Sequence, residues 1–462
     1  MRDTKQSGTS GEVQSLYAKH IVIHPRSTNG FYTNLRRLAV ISLLGLYYVV
    51  PWLMWDGRQA VLFDLPERKF YIFGLVFWPQ DAIYLTFLLS IAAFALFFFT
   101  TLAGRLWCGF ACPQTVWTEI FIWMERWVEG DRPQQIKLEN MPMNAYKLRI
   151  KATKHLLWIL FSLWTGYTFV GYFTPIHLLT QELISFNTSG WETFWVFFYS
   201  FATYGNAGWL REQICIYMCP YARFQGAMFD RNTFLVAYDE KRGEPRGAKK
   251  RNETKHLGDC VDCSLCVQVC PVGIDIRDGQ QYQCITCTAC IDACDEVMVK
   301  LNRPKGLVGY TTENSLEGKP THILRPKILI YGSLLIFFTV AIGYLLTQRI
   351  PLSLEIVRDR NLLFRETNEG MIENVYIVKI LNMDQKDHTY QLVAEGIEGL
   401  KLELGQKDLK VPSGKVVDIP LNLQADPSKL AKKSVNVVIS AQALDNPELK
   451  VSRDSRFVGP NK

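Results

Sequence analysis

The chain has 462 residues, 48% apolar and 13% aromatic, which is long enough for two or three folded units and high in apolar content for a wholly soluble protein. Its net charge of +7 sits in loops beside apolar runs, the distribution of a protein oriented in a membrane and not of one that binds nucleic acid. All twelve cysteines fall in tight groups that end at Cys294, which excludes a disulfide scaffold and points to metal or redox chemistry.

Residues 1–34 are polar, with Lys5, Lys19, His20, His24 and Pro25, and lack the short apolar core of a cleavable signal, so that 1–37 reads as one N-terminal segment. They are expected to form a cytoplasmic segment, with an uncleaved first span opening at Leu38. Five segments are free of Asp, Glu, Lys and Arg over the length needed to cross about 30 Å of hydrocarbon: 38–55, 82–104, 156–181, 193–210 and 328–348. Trp52, Trp55, Trp158 and Trp209 stand near their ends, as interfacial aromatics do. The competing reading is a set of buried helices in a soluble domain.

Orientation follows from the loops. Arg36 and Arg37 precede the first span, Arg126, Arg132, Lys137, Lys147, Arg149, Lys151 and Lys154 fill the next basic stretch, and 241–255 is denser still, while 182–192 has no Lys or Arg. The positive-inside rule then predicts five spans, with the N-terminus and 211–327 cytoplasmic and the chain after Gln348 outside. The loop 56–81 fits less cleanly, since it lies outside with Arg58, Arg68 and Lys69.

Residues 38–230 are expected to form a four-span bundle with a weak internal repeat. The second span runs into Cys108-x3-Cys112-Pro113 and the fourth into Cys215-x3-Cys219-Pro220. Residues 231–258 read as a basic linker, 259–303 as a ferredoxin domain, 304–327 as a second linker and 328–348 as the fifth helix. Past Arg349 the pattern changes to short Val/Ile/Leu-rich runs at 375–380, 390–394, 416–423 and 435–439, separated by turn residues. These predict an immunoglobulin-like β-sandwich over 349–462.

The most specific signal is Cys260-x2-Cys263-x2-Cys266-x3-Cys270-Pro271 followed by Cys284-x2-Cys287-x2-Cys290-x3-Cys294. This is the bacterial two-cluster ferredoxin rhythm, with Asp295 in the second run where proline often stands. In such runs the fourth cysteine ligates the other cluster. One [4Fe-4S] cluster is therefore expected on Cys260, Cys263, Cys266 and Cys294, and the other on Cys284, Cys287, Cys290 and Cys270. Two four-thiolate zinc sites are the alternative, but the short spacing suits a cuboidal cluster better.

Cys108, Cys112, Cys215 and Cys219 are the less specific set. Cysteines four apart share a helical face, and the prolines after Cys112 and Cys219 favour a chain break there. If the two halves face each other, four thiolates converge close to the ferredoxin segment, and soft thiolates select copper(I), zinc or iron–sulfur. The bland reading is a pair of packing cysteines beside helix-ending prolines.

Two absences narrow the reading further. His155 and His177 bracket the third span, and on one continuous helix they would stand about 33 Å apart, too far to share a haem. No G-x-G-x-x-G run is present, so electrons are expected from another protein or from a quinol.

Two Cys-x3-Cys-Pro motifs in a membrane bundle, the two-cluster segment, the run from Gly309 to Pro320 and a β-rich tail together resemble the FixG/RdxA/CcoG family of cytochrome c oxidase accessory proteins. The resemblance spans nearly the whole chain. It implies a protein of the bacterial inner membrane, with cytoplasmic clusters and a periplasmic tail, acting in assembly of cbb3-type oxidase as a cupric reductase. It implies copper as substrate or ligand, with Cys108, Cys112, Cys215 and Cys219 as the candidate copper site, and a tail that docks assembly factors or copper chaperones. The alternatives are a quinol-oxidising membrane subunit and a non-redox assembly scaffold.

Overall fold

The computed structural model describes residues 23–247, 257–359, 362–404, 409–430 and 432–460. Most of the polar N-terminal segment, 1–22, and the basic heart of the first linker, 248–256, lie outside the described residues. The chain divides into two compact units, each discontinuous in sequence. The first takes Met1–Tyr47, Leu96–Tyr167 and Thr193–Leu329, the second Tyr48–Ala95, Thr168–Glu192 and Ile330–Lys462.

The helices in chain order are α1 (Phe31–Val49), α2 (Ala82–Ala103), α3 (Leu106–Phe110), α4 (Pro113–Glu129), α5 (Arg132–Asn140), α6 (Ala145–Val170), α7 (Ile176–Ile184), α8 (Gly190–Thr203), α9 (Pro220–Gln225), α10 (Glu240–Gly243), α11 (Leu265–Gln268), α12 (Ala289–Lys300), α13 (Glu313–Leu316) and α14 (Pro326–Thr347). Among the described residues, three helical stretches are long and apolar enough to cross a membrane: Phe31–Trp52, Pro79–Ala103 and Pro326–Thr347. They coincide with the first, second and fifth expected segments.

The other two segments differ from expectation. Residues 156–181 are not one helix, because α6 ends at Val170 and α7 starts at Ile176. Pro175 explains the break, since its ring would strike the carbonyl four residues back; it takes a non-helical conformation as the N-cap of α7. His155 and His177 therefore lie on different helices, and the separation expected along one helix does not apply. Residues 193–210 comprise most of α8, which has only 14 residues, and a π-helical continuation, Tyr204–Leu210.

In the first unit, strands β6 (Leu235–Tyr238) and β7 (Val308–Thr311) pair antiparallel and bracket the eight-cysteine segment. Val236, Tyr238, Leu307 and Val308 share a buried core with Cys260, Cys266, Ile276, Ile291 and Met298. The stretches read as linkers thus supply both strands of the ferredoxin-like body, which is wider than 259–303.

In the second unit the loop before α2 is also ordered. β1 (Met54–Trp55) pairs with β2 (Arg58–Gln59), and β3 (Val61–Asp64), β4 (Lys69–Ile72) and β5 (Leu75–Phe77) form a meander. Two of its three cations are engaged locally: Arg58 lies 4.4 Å over the Tyr71 ring, and Lys69 pairs with Glu67 at 2.8 Å.

The tail consists of β8 (Leu352–Arg358), β9 (Arg365–Glu366), β10 (Ile372–Asn382), β11 (His388–Glu395), β12 (Lys401–Leu404), β13 (Leu409–Val411), β14 (Val416–Ala425), β15 (Ser434–Ala443) and β16 (Lys450–Val458). One antiparallel sheet has the order β12-β14-β10-β8 with β9 on β10, the other β13-β11-β15-β16. Alternate residues point inward, as a strand's two-residue period requires. Tyr376, Val378 and Ile380 from the first sheet share one core with Tyr390, Val437, Ile439 and Phe457 from the second.

Candidate metal centres

The two halves of the ferredoxin segment repeat one backbone device. The residues flanking the middle cysteine are left-handed in both runs: Asp262 and Ser264 have φ of 56° and 54°, Thr286 and Thr288 of 55° and 59°. Such φ values are uncommon outside glycine, and their recurrence at equivalent places shows that the two loops are wound in the same way around their cysteines. Ser264 and Thr288 then stand at the N-caps of α11 and α12. After Cys270, Pro271 follows the end of α11, whereas Asp295 lets α12 continue to Lys300.

One cavity is lined by Cys260, Cys263, Cys266 and Cys294, with Tyr238, Arg277 and Met298. A second is lined by Cys270, Cys284, Cys287 and Cys290, with Val236, Ile274 and Ile276, and Cys266 reaches its edge. Each fourth cysteine thus stands with the other run. Burial is the main force pushing Cys266 and Cys284 up to about 11 and Cys270 and Cys294 up to about 12, with neighbouring thiols adding to it. Such buried thiols fit a centre that takes them as thiolates.

The remaining four cysteines also repeat one design. Cys108 lies in α3 and Cys112 is the extended N-cap of α4, with Pro113 opening the helix; Cys215 lies in a π-helical turn, Ile214–Met218, and Cys219 is the extended N-cap of α9, opened by Pro220. The chain break expected at each proline is present. The four thiols are close enough to influence one another: Cys215 feels Cys112, Cys108 and Cys219, and Cys108 feels Cys112 and Cys219. Burial first, and these neighbours second, push Cys215 up to about 12, and burial pushes Cys108 up to about 11.

A buried ion network draws these halves together. Glu125 on α4 pairs with Lys154 of α6 at 3.3 Å and with Arg211, just before Cys215, at 2.9 Å; Glu129 pairs with Lys154 at 2.8 Å and Lys151 at 2.9 Å. Lys154 and Arg211 both pack on the Trp158 ring, at 4.8 and 5.5 Å. Gln114, two residues after Cys112, donates to the carbonyls of Asn206 (2.8 Å) and Arg211 (3.0 Å). The fully buried Gln225 lies 3.5 Å from the Cys108 sulfur.

The first pair of this quartet touches the ferredoxin loop directly. Arg105 donates to the carbonyls of Tyr282, Cys284 (3.3 Å) and Ala222 (2.7 Å). A Cβ on Gly109 would lie 2.5 Å from the Thr286 carbonyl oxygen and 2.9 Å from that of Ile285. Cys108 packs on a patch containing Ile285, Cys287 and Cys290. On the far side, Asp292 of α12 accepts from the backbone N–H of Thr33 (2.6 Å) and Tyr32 (3.3 Å), fastening the start of α1 to the cysteine domain.

Arg105, Gln225, Glu125 and Asp292 carry no role in the sequence reading. Arg105 alone had a local signal, its place just before the first cysteine pair. In the tail, both ring nitrogens of His388 are engaged, Nδ1 with Asp445 at 2.6 Å and Nε2 with Asp384 at 2.9 Å. His155 meets the Tyr204 hydroxyl at 2.9 Å, and His177 stands edge-on to Trp52.

Three families match the chain: a 4Fe-4S binding domain over residues 85–130, a 4Fe-4S dicluster domain over 210–313, and the IG-like fold at the C-terminal of FixG over 342–460. The nitrogen fixation protein FixG of Rhizobium meliloti (strain 1021) is 38% identical over 424 residues, 83% of this chain and 80% of that protein. Protein RdxA of Cereibacter sphaeroides is 40% identical over 414 residues, covering 86% of this chain and 88% of the relative. Protein RdxB of the same organism is 42% identical over 409 residues, covering 85% and 86%.

Proposed function

This chain belongs to the FixG/RdxA family of iron–sulfur electron-transfer proteins, and from that premise we propose that it reduces Cu(II) to Cu(I) during assembly of cbb3-type cytochrome c oxidase. Cys260, Cys263, Cys266 and Cys294 hold one [4Fe-4S] cluster, and Cys270, Cys284, Cys287 and Cys290 the other. Bound there, the clusters supply one-electron chemistry. Copper is the substrate, received by Cys108, Cys112, Cys215 and Cys219, whose soft sulfurs favour Cu(I) over Cu(II). The reduction takes one electron per ion. Cys108 and Cys215, held protonated by burial, release protons as they take the metal.

The observation that carries this reading is the packing of Cys108 on the apolar patch of the ferredoxin loops that includes Ile285 and Cys287. Five crossings of the bacterial inner membrane fit the same scheme. The chain passes between its two units after Tyr47, Ala95, Tyr167, Glu192 and Leu329, each within or beside one of the five apolar segments. The cysteines then belong to the basic, cytoplasmic side, and the two-sheet tail is a periplasmic immunoglobulin-like sandwich that docks assembly factors or copper chaperones.

The test is an anaerobic assay on purified protein, reduced, desalted and given Cu(II) with a colorimetric Cu(I) chelator. Wild type is expected to yield Cu(I), and the Cys108→Ser/Cys112→Ser and Cys215→Ser/Cys219→Ser proteins to lose that yield with their iron content intact. Unchanged yield in both double variants rules the copper site out. A second reading has its own support: the 4Fe-4S family match over 85–130 contains just two cysteines, Cys108 and Cys112, so the quartet could instead carry a third cluster. Iron analysis separates them, with about eight iron per chain for two clusters and about twelve for three.

A further inference from the structure

The two cysteine cavities sit in different electrostatic surroundings. Around the cavity of Cys260, Cys263, Cys266 and Cys294 the guanidiniums are matched. Arg277, in its wall, pairs with Asp262 at 2.5 Å and Asp275 at 2.6 Å; Asp259 pairs with Arg242 at 2.6 Å and Arg303 at 3.8 Å. Asp295, beside Cys294, accepts from the Gly306 N–H. Four carboxylates there meet three guanidiniums.

The other centre has the opposite balance. A cavity against the outer side of Cys287, Val269, Pro271 and Ala289 is lined by Arg26, Arg36, Arg37 and Arg126, with Glu119 as its one carboxylate. Glu119 is taken by Arg36 at 2.6 Å, and Arg36 is only 9% exposed. The Nε atoms of Arg36 and Arg126 are buried without a hydrogen-bond partner. Arg105 adds a further positive charge on the Cys284 carbonyl. The nearby Asp292 is engaged by the first turn of α1.

A guanidinium keeps its charge at any physiological pH, and burying it unmatched is costly. Besides Glu119, only Asp131 sets a carboxylate against Arg126, so four guanidiniums meet two carboxylates and this wall is short of negative charge. Four thiolates on an iron–sulfur core give a net negative centre that gains one more negative charge on reduction. We propose that Arg36, Arg105 and Arg126 are the counter-charge of the cluster on Cys270, Cys284, Cys287 and Cys290, and that they make it easier to reduce than the cluster on Cys260, Cys263, Cys266 and Cys294. A single electron shared by the pair then resides on the cluster beside Cys108, with no bond made or broken. This rests on the two-cluster reading and is independent of copper.

The experiment is a redox titration of the intact, anaerobically purified protein, followed by electron paramagnetic resonance, with iron content measured on the same samples. Two midpoint potentials are expected. A unit charge acting across about 12 Å at an effective dielectric near 20 is worth about tenfold in an equilibrium constant. Arg126→Gln should therefore lower only the higher potential, by about 59 mV for one electron, and Arg126→Lys should restore it. Asp262→Asn should raise only the lower potential. If Arg126→Gln does not accumulate with full iron, Arg37→Gln at the same cavity must shift the higher potential in the same direction. A shift of the lower potential by the arginine variants, no shift at all, or failure of lysine to restore it overturns the proposal. Iron well below two clusters' worth in wild type would instead overturn the two-cluster reading.

Discussion

Gly109 shows how a single residue ties the thiol quartet to the ferredoxin loop. Its Cα lies so near the Ile285 and Thr286 carbonyls that one methyl group has no room. Gly109→Ala is expected to push α3 off that loop and cut Cu(I) yield by about tenfold or more, since small misplacements at reacting centres are costly. Iron content should stay at the wild-type value; equal activity in the alanine protein would show that the contact is not used. His388 offers a second test at this scale. Burial acts to lower its pKa, but hydrogen bonds to Asp384 and Asp445 outweigh that and leave it raised. The stabilisation is thus complete below the unfolded value of about 6.5 and is lost as pH rises through the folded value. The denaturation midpoint of the tail, followed in the intact protein by limited proteolysis, should fall across that window in wild type and stay flat in His388→Gln. The cysteines were legible in the sequence because ligand spacing is local. Asp292 was not, because its partners Tyr32 and Thr33 lie some 260 positions away.

At the scale of elements, α4, α6 and the π-helical stretch before Arg211 are joined by charges buried from water. Removing one member of such a network leaves the others unmatched, a loss of about 3–5 kcal/mol. Glu125→Ala, which strands Arg211 and leaves Lys154 with Glu129 alone, should lower the thermal midpoint and the yield of folded protein, and Glu125→Gln should do so less. A midpoint equal to wild type in the alanine protein would mean that water fills the gap and the network does not hold Cys215 in place. Sequence patterns located the inner strands β10, β11, β14 and β15, whose alternation is long and apolar. They did not single out the edge strands β8, β12, β13 and β16 or the two-residue β9, which are short or interrupted by charge, nor the meander of β3 to β5, where the loop's charge obscured its alternation. They also read through Pro175, because an apolar run hides a break that only backbone geometry imposes.

For the whole molecule, the decisive question is whether α6 and α8 cross the membrane, since neither is among the three helices apolar enough by themselves. Contacts within the second unit bear on it. Gln59, in the loop after the first helix, donates to the Gly171 carbonyl at 2.7 Å and accepts from the Ile176 N–H at 2.9 Å, and the Phe63 N–H meets the Tyr172 carbonyl at 2.7 Å. The same loop joins the tail, through Trp78 packed on Leu381 and Met383 and through Asp81 paired with Arg349 at 2.6 Å. If the apolar helices cross a membrane, these contacts favour residues 171–176 on the tail's side. Three spans would put everything between α2 and α14 opposite the tail, at odds with those hydrogen bonds, and the five spans we propose avoid that conflict. With five, α6 carries the chain across and α8 returns it. The apolar stretch of α6 is short because Lys147, Arg149, Lys151 and Lys154 occupy its first turns, where Lys151 and Lys154 serve the buried network and all four fit the positive-inside bias. Reporter fusions within 182–192 and after Gln348 are accordingly expected to be periplasmic, and fusions within 239–258 cytoplasmic. A cytoplasmic signal from 182–192 beside a periplasmic one after Gln348 would leave three spans and remove the membrane helices from around the thiol quartet.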